Sequence, residues 1–313
     1  MPARPLRQPS QDIPLIRALT PDDVPALRLR GERGLNDRVV RAVLESYPGR
    51  SVWIPETVEF ALLAPWRHRD DIGLVQELDA VEHAEALIAG AIEGCREAGA
   101  AMVLVIEMDE LRRQGFYRRA GLEQIEEVIT YELDRPRAIS FTPGSLAFSR
   151  VAPADAAAMA ELLRLDHAAF PWLWWNTEAE FAAYAETTGV QLYLARKAGE
   201  AIAYLGLTSF LGWGHLDRIA VVPGVQGQGY GRQALAFAVD RLARNGARRV
   251  ALSTQRANLR SQRLYERAGF RRSRGFDYRL YGAVLRPPAP GLATNEQSAS
   301  MVADPPSPPA KEG

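Results

Sequence analysis

The clearest alternation of apolar and polar residues lies in the second half of the chain, around a glycine-rich turn. The apolar, β-branched run His215–Val222 stops at Pro223 and is followed by the glycine-rich segment Gln226–Arg232. Apolar residues then recur at the spacing of one helical face, at Leu235, Ala238, Val239 and Leu242. The pattern predicts a strand, a glycine loop and a helix that ends near Asn245.

The remaining elements follow from the same reading of apolar runs and turn residues. In the first half, strands are predicted at Ile13–Ala18, Val58–Ala64, Ile72–Glu77, Met102–Glu107 and Ile125–Leu133. Helices are predicted to open at Thr20-Pro21, to span Val81–Glu97, and to end at a C-cap, Gly121. In the second half, strands are predicted at Leu146–Val151, Gln191–Arg196, Ala201–Ser209, Arg249–Thr254 and Phe276–Leu285, and helices to open at Pro153 and to span Asn258–Ala268.

Composition divides the chain further. Residues 1–12 are polar and proline-rich and are expected to be disordered, and so is the Pro-, Ser- and Ala-rich tail, 287–313. Prolines and a glycine mark 137–145 as a linker between two predicted domains, 13–136 and 146–286.

The two predicted domains share a motif. Leu264–Phe270 matches Phe116–Leu122 at an offset of 148 residues, which indicates two tandem copies of one fold unless the similarity arose by chance. If the same offset of 148 holds throughout, the glycine loop aligns with the first-copy segment Leu78–His83. That segment has no glycine and includes Asp79 and Glu82. Because two carboxylates would repel an anion, the first copy is expected to lack the loop's binding function and to serve as a structural or substrate-shaping half.

Bulk properties exclude several classes of function. The 313 residues are 47% hydrophobic and 24% charged with zero formal net charge, which argues against a nucleic-acid or membrane partner. One cysteine, Cys95, excludes an intrachain disulfide, and with only four scattered histidines no metal site is expected. No long apolar run or signal peptide is present, so a cytoplasmic protein is expected. Only two of the 38 basic residues are lysines, which is typical of a GC-rich, bacterial genome.

The glycine loop has the chemistry of an anion site. Gly227, Gly229 and Gly231 allow successive backbone N–H groups to point into one concavity, next to the N-terminus of the following helix. The guest expected there is a pyrophosphate. The spacing differs from a dinucleotide fingerprint and from a P-loop, because Asp240 comes too early for the first and no Gly-Lys pair exists for the second.

The spacing Gln226-x-x-Gly229-x-Gly231 instead resembles the GNAT superfamily of N-acetyltransferases, and so does Asn258–Phe270, with its asparagine, tyrosine and Gly-Phe at the family's spacing. The resemblance covers Leu146–Leu285 and, in weakened form, Ile13–Leu133. It implies two α/β (α+β) domains in tandem, each a mixed, mostly antiparallel twisted sheet flanked by helices. The donor implied is acetyl-CoA, and the acceptor a small-molecule or peptide amine, with the chain acting as a monomer or homodimer.

The resemblance also assigns residues. Those implied for acetyl-CoA are Ile219, Ala220, Val221, Gln226, Gly227, Gln228, Gly229, Tyr230, Gly231, Arg232 and Asn258. Tyr265 is implied as the acid that protonates the leaving thiolate, although Asn258 could serve only as an N-cap and Tyr265 could pack in the core. Tyr117 repeats the tyrosine in the copy without a glycine loop, which favours packing as part of its role.

The general base and the acceptor site are less determined. Asp217 is a candidate base, with His215 on the same strand face as an alternative, although Asp217 could merely pair with Arg218 or other arginines. An ordered water could also serve. Trp172, Trp174 and Trp175 form either an aromatic acceptor pocket or a packing surface against the first copy. A protein that binds an acyl-CoA without turnover, or a GNAT enzyme with another donor, remains an alternative.

Overall fold

The computed structural model describes residues 15–27, 29, 35–108, 114–136 and 144–286. The two predicted disordered ends, 1–12 and 287–313, and residues 137–143 of the predicted linker lie outside these residues.

The first half contains six strands and three α-helices among its described residues. In chain order they are β1 Arg17–Ala18, α1 Asp37–Ser46, β2 Val52–Ile54, β3 Glu59–Trp66, β4 Arg69–Asp79, α2 Ala84–Glu97, β5 Met102–Glu107, α3 Gln114–Arg119 and β6 Glu123–Asp134. A 3₁₀ helix, Pro21–Ala26, follows β1.

The described residues of the second half contain six strands and four α-helices. They are β7 Ala147–Val151, α4 Ala156–Ala169, α5 Glu178–Glu186, β8 Val190–Lys197, β9 Glu200–Phe210, β10 Trp213–Val221, α6 Tyr230–Arg244, β11 Arg249–Gln255, α7 Leu259–Arg267 and β12 Arg271–Val284. Short 3₁₀ helices occupy Trp172–Trp174 and Pro223–Val225.

The described strands form one mixed sheet of twelve, in the order β1-β2-β3-β4-β5-β12-β6-β11-β10-β9-β8-β7. Each half has one parallel pair, β4 with β5 and β10 with β11, and its other pairs are antiparallel. The predicted fold class, a mixed and mostly antiparallel sheet flanked by helices in each of two tandem halves, is confirmed, except that the two halves share one continuous sheet.

The halves exchange their last strands. β12, from the end of the second half, pairs with β5 of the first half, and β6, from the end of the first half, pairs with β11 of the second. β6 and β12 also pair with each other. The first-half core therefore includes Tyr281 of β12, and the second-half core includes Ile129, Tyr131 and Leu133 of β6. Each hydrophobic core is completed by a strand from the other half.

Most predicted elements are found, with two kinds of difference. The helix predicted after Thr20 is a 3₁₀ helix of six residues that contains Pro25, and a proline has no N–H for an α-helical hydrogen bond. The elements α1, β2 and α5 were not predicted. α5 buries only Phe181 and has no strong apolar period. α1 does have one, since Val40, Val43 and Leu44 lie on one helical face, and the sequence reading missed it.

Among the helices that the structure describes, none combines the length and apolar character needed to cross a membrane. The same residues contain no group of three His, Cys, Asp or Glu side chains arranged to hold a metal ion.

Candidate functional site

The site begins where two parallel strands part. β10 and β11 pair from Trp213 and Arg249 as far as Leu216 and Leu252, and no further, although both strands continue. β10 keeps its pairing with β9 up to Val221. Beyond Leu216, the edge of β10 that faces β11 therefore has no strand partner among the described residues. Backbone groups on this edge, in the stretch that includes Ile219, Ala220 and Val221, are available to a ligand.

The glycine loop lies directly after this unpaired stretch. Gly227 and Gly229 have φ angles of 86° and 87°, a conformation that side chains with a Cβ rarely adopt, and Gly229 is the N-cap of α6. No described residue accepts a hydrogen bond from the backbone N–H groups of residues 227–231, whereas the N–H of Arg232 is bonded to the carbonyl of Gly229 at 3.1 Å. Unpaired N–H donors at a helix start form an anion site.

The side chains of this segment have different surroundings. Gln226 donates to the carbonyl of Val221 at 2.8 Å and accepts from Arg260 at 2.6 Å, so it ties the strand end to α7. Arg232 is exposed in the first turn of α6. Tyr230 is buried in a core with Leu146, so only its backbone N–H is available to a ligand.

Arg260 was not predicted as a site residue. Its guanidinium is exposed beside the loop and approaches Gly227, where an added Cβ would lie 3.4 Å from Nη2. The arginine stands two residues after Asn258, in the first turn of the helix that Asn258 caps, and that position was the available signal. It adds a second cation, besides Arg232, near the predicted anion site.

Helix α7 brings Asn258 and Tyr265 to one cavity. The Asn258 carbonyl oxygen caps the helix by accepting the N–H of Ser261 at 3.1 Å, which leaves its amide N–H groups for other partners. Tyr265 is buried against Tyr131 and Phe270, with ring centroids 6.1 Å away in both cases. Burial raises the pKa of Tyr265 to about 12, against a smaller opposing effect of a hydrogen bond with Ser261. The phenol is therefore protonated at neutral pH.

The cavity has a volume of about 410 Å³ and both halves line it. This is the size range of small-molecule sites, roughly 300–1,000 Å³. β10 and β11 form one wall, α5 and the start of α7 a second, and the first half contributes Arg67 and Val128.

Asp217 lies in this cavity at a β-bulge, where the register with β9 shifts between Leu216 and Arg218. One carboxylate oxygen accepts hydrogen bonds from Tyr184 at 2.6 Å and Thr208 at 2.7 Å, and the other lies 2.8 Å from Nδ1 of His215. Because three donors already occupy the carboxylate, Asp217 orients His215 more readily than it accepts a proton itself. The Nε2 atom of His215 has no hydrogen-bond partner in the described part of the chain.

A glycine makes this network possible. A Cβ on Gly206 would lie 2.9 Å from the hydroxyl of Tyr184, the group that donates to Asp217. Tyr184 was not predicted as a site residue, since the contact joins α5 to a strand 33 residues later.

Arg218 does not pair with Asp217, so that alternative is wrong. Arg218 instead binds the fully buried carboxylate of Asp166 and the carbonyl of Trp174 at 2.8 Å. Asp166 also accepts from the hydroxyl of Tyr204 and from the N–H of Asn176 at 2.8 Å. This cluster fixes α4 and the tryptophan segment against β10.

The three predicted tryptophans have separate contacts. Trp174 lines the cavity and meets Trp66 of the first half edge-on at 5.9 Å. Trp172 lies under the guanidinium of Arg69 at 4.4 Å, and Trp175 stacks on His167 at 4.4 Å. Packing against the first half and lining the cavity are therefore both present, but only Trp174 does both.

The loop that joins β4 to α2 in the first half is shorter than the glycine loop that joins β10 to α6 in the second. Four residues, 80–83, join β4 to α2, against eight, 222–229, between β10 and α6. The constant offset of 148 is therefore wrong in this region, because it placed Leu78 and Asp79 in the loop and both belong to β4.

An internal carboxylate occupies the start of α2. Glu59 accepts the backbone N–H groups of Val81 at 2.5 Å and Glu82 at 2.7 Å, and Nδ1 of His83 at 2.5 Å. Burial by itself would raise the pKa of Glu59, but these hydrogen bonds and a further one from Thr57 lower it to about 2. The N–H groups that precede α2 are thus already bound to an anion.

Tyr117, the first-half residue that matches Tyr265, has its hydroxyl bound within the protein. Tyr117 is buried, donates its hydroxyl to Glu107 and stacks on Tyr281 with a centroid distance of 3.8 Å. β4 has a bulge where its register with β3 shifts between Leu62 and Leu63. The bulged residue is Gln76, which stands in the first half where Asp217 stands in the second.

Among the described residues, the divided strands, the glycine-rich helix start and the cavity lie on consecutive elements of the second half of an α/β protein. Residues 157–270 match the model of the family described as "Acetyltransferase (GNAT) family". This segment of the second half is thus similar to GNAT-family acetyltransferases, which supports acyl transfer as its general chemistry. No curated protein sequence matches the chain.

Solved structures share the fold over most of the chain. A GCN5-related N-acetyltransferase from Sphaerobacter thermophilus is 18% identical with a TM-score of 0.55, over 90% of this chain and 98% of that one. One from Kribbella flavida is 17% identical with a TM-score of 0.61, over 87% and 71%. A tandem GNAT protein from the clavulanic acid biosynthesis pathway, solved without AcCoA, is 14% identical with a TM-score of 0.55, over 88% and 99%. The fold of the chain is that of tandem GNAT proteins.

Proposed function

We propose that the second half of the chain transfers an acetyl group from acetyl-CoA to a primary amine, by direct attack of the amine in a ternary complex. The observation that carries the proposal is the glycine nest with unpaired N–H groups, which follows the divided strand pair and the cavity that Tyr265 lines. The first half also divides its parallel strands, after Val75 and Val105, but the described residues between β4 and α2 include no such nest. A cytoplasmic location, and action as a monomer or homodimer, stay predictions.

In this proposal the donor lies along the gap between β10 and β11. The N–H groups of residues 227–231, with Arg232 and Arg260 nearby, bind the pyrophosphate, and each such charged hydrogen bond contributes about 1.5–3 kcal/mol. Asn258 donates its side-chain amide to the pantetheine arm. The unpaired edge of β10 supplies N–H donors to the thioester oxygen as negative charge develops on it.

In the proposed reaction, His215 accepts a proton and Tyr265 donates one. The neutral amine attacks the thioester carbonyl, so that a C–N bond forms and the C–S bond breaks. Nε2 of His215, oriented by Asp217, accepts the proton that the amine loses. Tyr265 gives its proton to the departing thiolate. Because the phenolate left behind is a stronger base than the thiolate, it takes a proton back from solvent and the phenol is restored.

We propose one donor site per chain. In the first half, Glu59 fills the position at the helix start that a phosphate would take, and Tyr117 is bound to Glu107. An added anion would have to displace a buried carboxylate that four donors hold. The first half then serves to shape the acceptor cavity.

The test is an acceptor screen with acetyl-CoA in which release of free thiol is measured. Amine-dependent thiol release, with the acetylated amine detected by mass spectrometry, is expected. The alternative, an acyl-CoA-binding protein without turnover, predicts tight binding of acetyl-CoA and no amine-dependent release with any acceptor class.

A further inference from the structure

A guanidinium from the first half reaches the acceptor cavity of the second. Arg67 stands with His68 in the two-residue turn between β3 and β4, with φ angles of 52° and 54°. Turns of this kind favour asparagine and glycine at both positions. The arginine side chain is 20% exposed and lines the cavity, and its guanidinium lies 5.3 Å from the ring of Trp66 and 5.5 Å from that of Trp174.

The charge of Arg67 is poorly matched by protein groups. Nη1 donates to the side-chain oxygen of Asn176 at 2.6 Å, and the nearest carboxylate, Glu180, is 3.8 Å away and accepts from His68 instead. Nε is buried and has no hydrogen-bond partner in the described residues. Burial, and then repulsion by Arg218, lower the pKa of Arg67 to about 10, although Glu180 and Asp166 oppose this. Arg67 is thus a partly buried cation with an unused donor.

The other charged groups at the cavity are already paired. Arg218 is bound by Asp166, and Asp217 by Tyr184, Thr208 and His215. Helix α5 connects the two ends of the cavity, because Glu180 lies beside Arg67 and Tyr184 beside Asp217. These two residues are one helical turn apart, about 6 Å along the axis. The cation and the proposed base therefore line the same cavity, whose volume of about 410 Å³ is that of a small-molecule site.

We propose that Arg67 binds a carboxylate on the acceptor, so that the acceptor is a small amine that also carries an acid group, with its amine directed to His215. This inference rests on the proposed acetyl transfer for the identity of the amine end. A guanidinium suits the task, because its fork of N–H groups matches the two oxygens of a carboxylate.

The test compares pairs of amines that differ only by a carboxylate, such as L-lysine with 1,5-diaminopentane, 4-aminobutyrate with propylamine and L-tyrosine with tyramine. The wild-type enzyme is expected to prefer the acid member of the pairs it uses by about 10- to 100-fold in kcat/KM. Arg67→Met should remove that preference by raising KM for the acid member alone. Arg67→Lys should recover part of it, and KM for acetyl-CoA should not change.

Arg69→Gln is the matched control. Arg69 stands in the same hairpin, is also buried and contacts Trp172 and Asp71, but does not line the cavity. Its variant should keep the preference for the acid member. Two results would overturn the inference while leaving acetyl transfer intact. One is an equal loss of kcat/KM with both members of a pair in Arg67→Met, and the other is a wild-type enzyme that does not prefer the acid member.

Calorimetric titration of the same pairs into the protein saturated with coenzyme A separates the two proposals. If no amine is acetylated, acetyl transfer fails. The carboxylate site is then still supported by tighter binding of the acid members that Arg67→Met abolishes, and it is overturned by equal binding of both members.

Discussion

Tyr265 and His215 reach the same cavity from different elements, and their different surroundings are the basis of the separate proton transfers proposed for them. Tyr265 is buried among aromatic rings, so its proton is held more tightly than in water. His215 is partly exposed and has Asp217 on one ring nitrogen, which leaves the other nitrogen toward the cavity. One residue can therefore only give a proton at neutral pH, and the other can take one.

Tyr265→Phe should lower kcat by about 100-fold or more, the usual contribution of a general acid, and leave the Kd of acetyl-CoA nearly unchanged. In the wild type, a pKa near 12 keeps the phenol protonated, so its ionisation should not reduce the rate below about pH 11. Tyr131→Phe is the control, because Tyr131 packs on Tyr265 and donates to Glu266 at 3.0 Å but does not line the cavity. Unchanged kcat in Tyr265→Phe would make Tyr265 a packing residue.

At the scale of elements, the two helix starts show how one fold can keep or lose an anion site. In the second half, eight residues with two glycines in the left-handed region precede α6 and leave N–H groups unpaired. In the first half, four residues precede α2 and a carboxylate from β3 binds them. The N–H donors of a helix start must be satisfied in either case.

Glu59→Gln should destabilise the protein by about 3 kcal/mol at neutral pH, since the folded-state pKa is about 2 against an ordinary glutamate pKa of 4.5. A lowered pKa gives stability that is present above pH 4.5 and is lost as pH falls toward about 2. Urea unfolding at pH 7 and at about pH 3 should therefore show a difference from wild type that shrinks in acid. Glu56→Gln, an exposed change in the same turn, should show almost no difference at either pH.

The sequence predicted the elements with strong apolar periods and the motifs that are local in the chain. The strand, loop and helix around Gly229 and the helix capped by Asn258 lie where the pattern put them. The cavity was not predictable in the same way, because Arg67 and Asn176 meet across 109 residues and Tyr184 and Asp217 across 33. Nothing in the pattern around Arg67 or Glu59 distinguishes them from ordinary surface charges.

At the scale of the whole molecule, the exchanged strands join the two halves into one folding unit. β12 lies between β5 and β6, so the end of the chain completes the first-half sheet. Trp66, Trp172 and Leu280 share a further core between the halves. The acceptor cavity, which both halves line, depends on this union.

Tyr281→Ala should therefore destabilise both halves together, by about 3–5 kcal/mol, because it empties a ring from the first-half core although it stands near the end of the chain. Hydrogen exchange should show amides of β3 and of β9 losing protection by equal amounts. Val284→Ala, at a side chain that is 54% exposed on the same strand, should change stability by less than about 0.5 kcal/mol. Loss of protection confined to one half would contradict the single unit.

The central claim is that the N–H groups around Gly229, and no others in the chain, hold the phosphates of the acyl donor. Calorimetric titration with coenzyme A tests it most directly. The account predicts one molecule bound per chain, affinity at least about tenfold weaker in Gly229→Ala, and little change in Gly224→Ala, where an added Cβ meets open space at an ordinary φ. Two equal sites per chain, or one site that Gly229→Ala leaves unchanged, would contradict it.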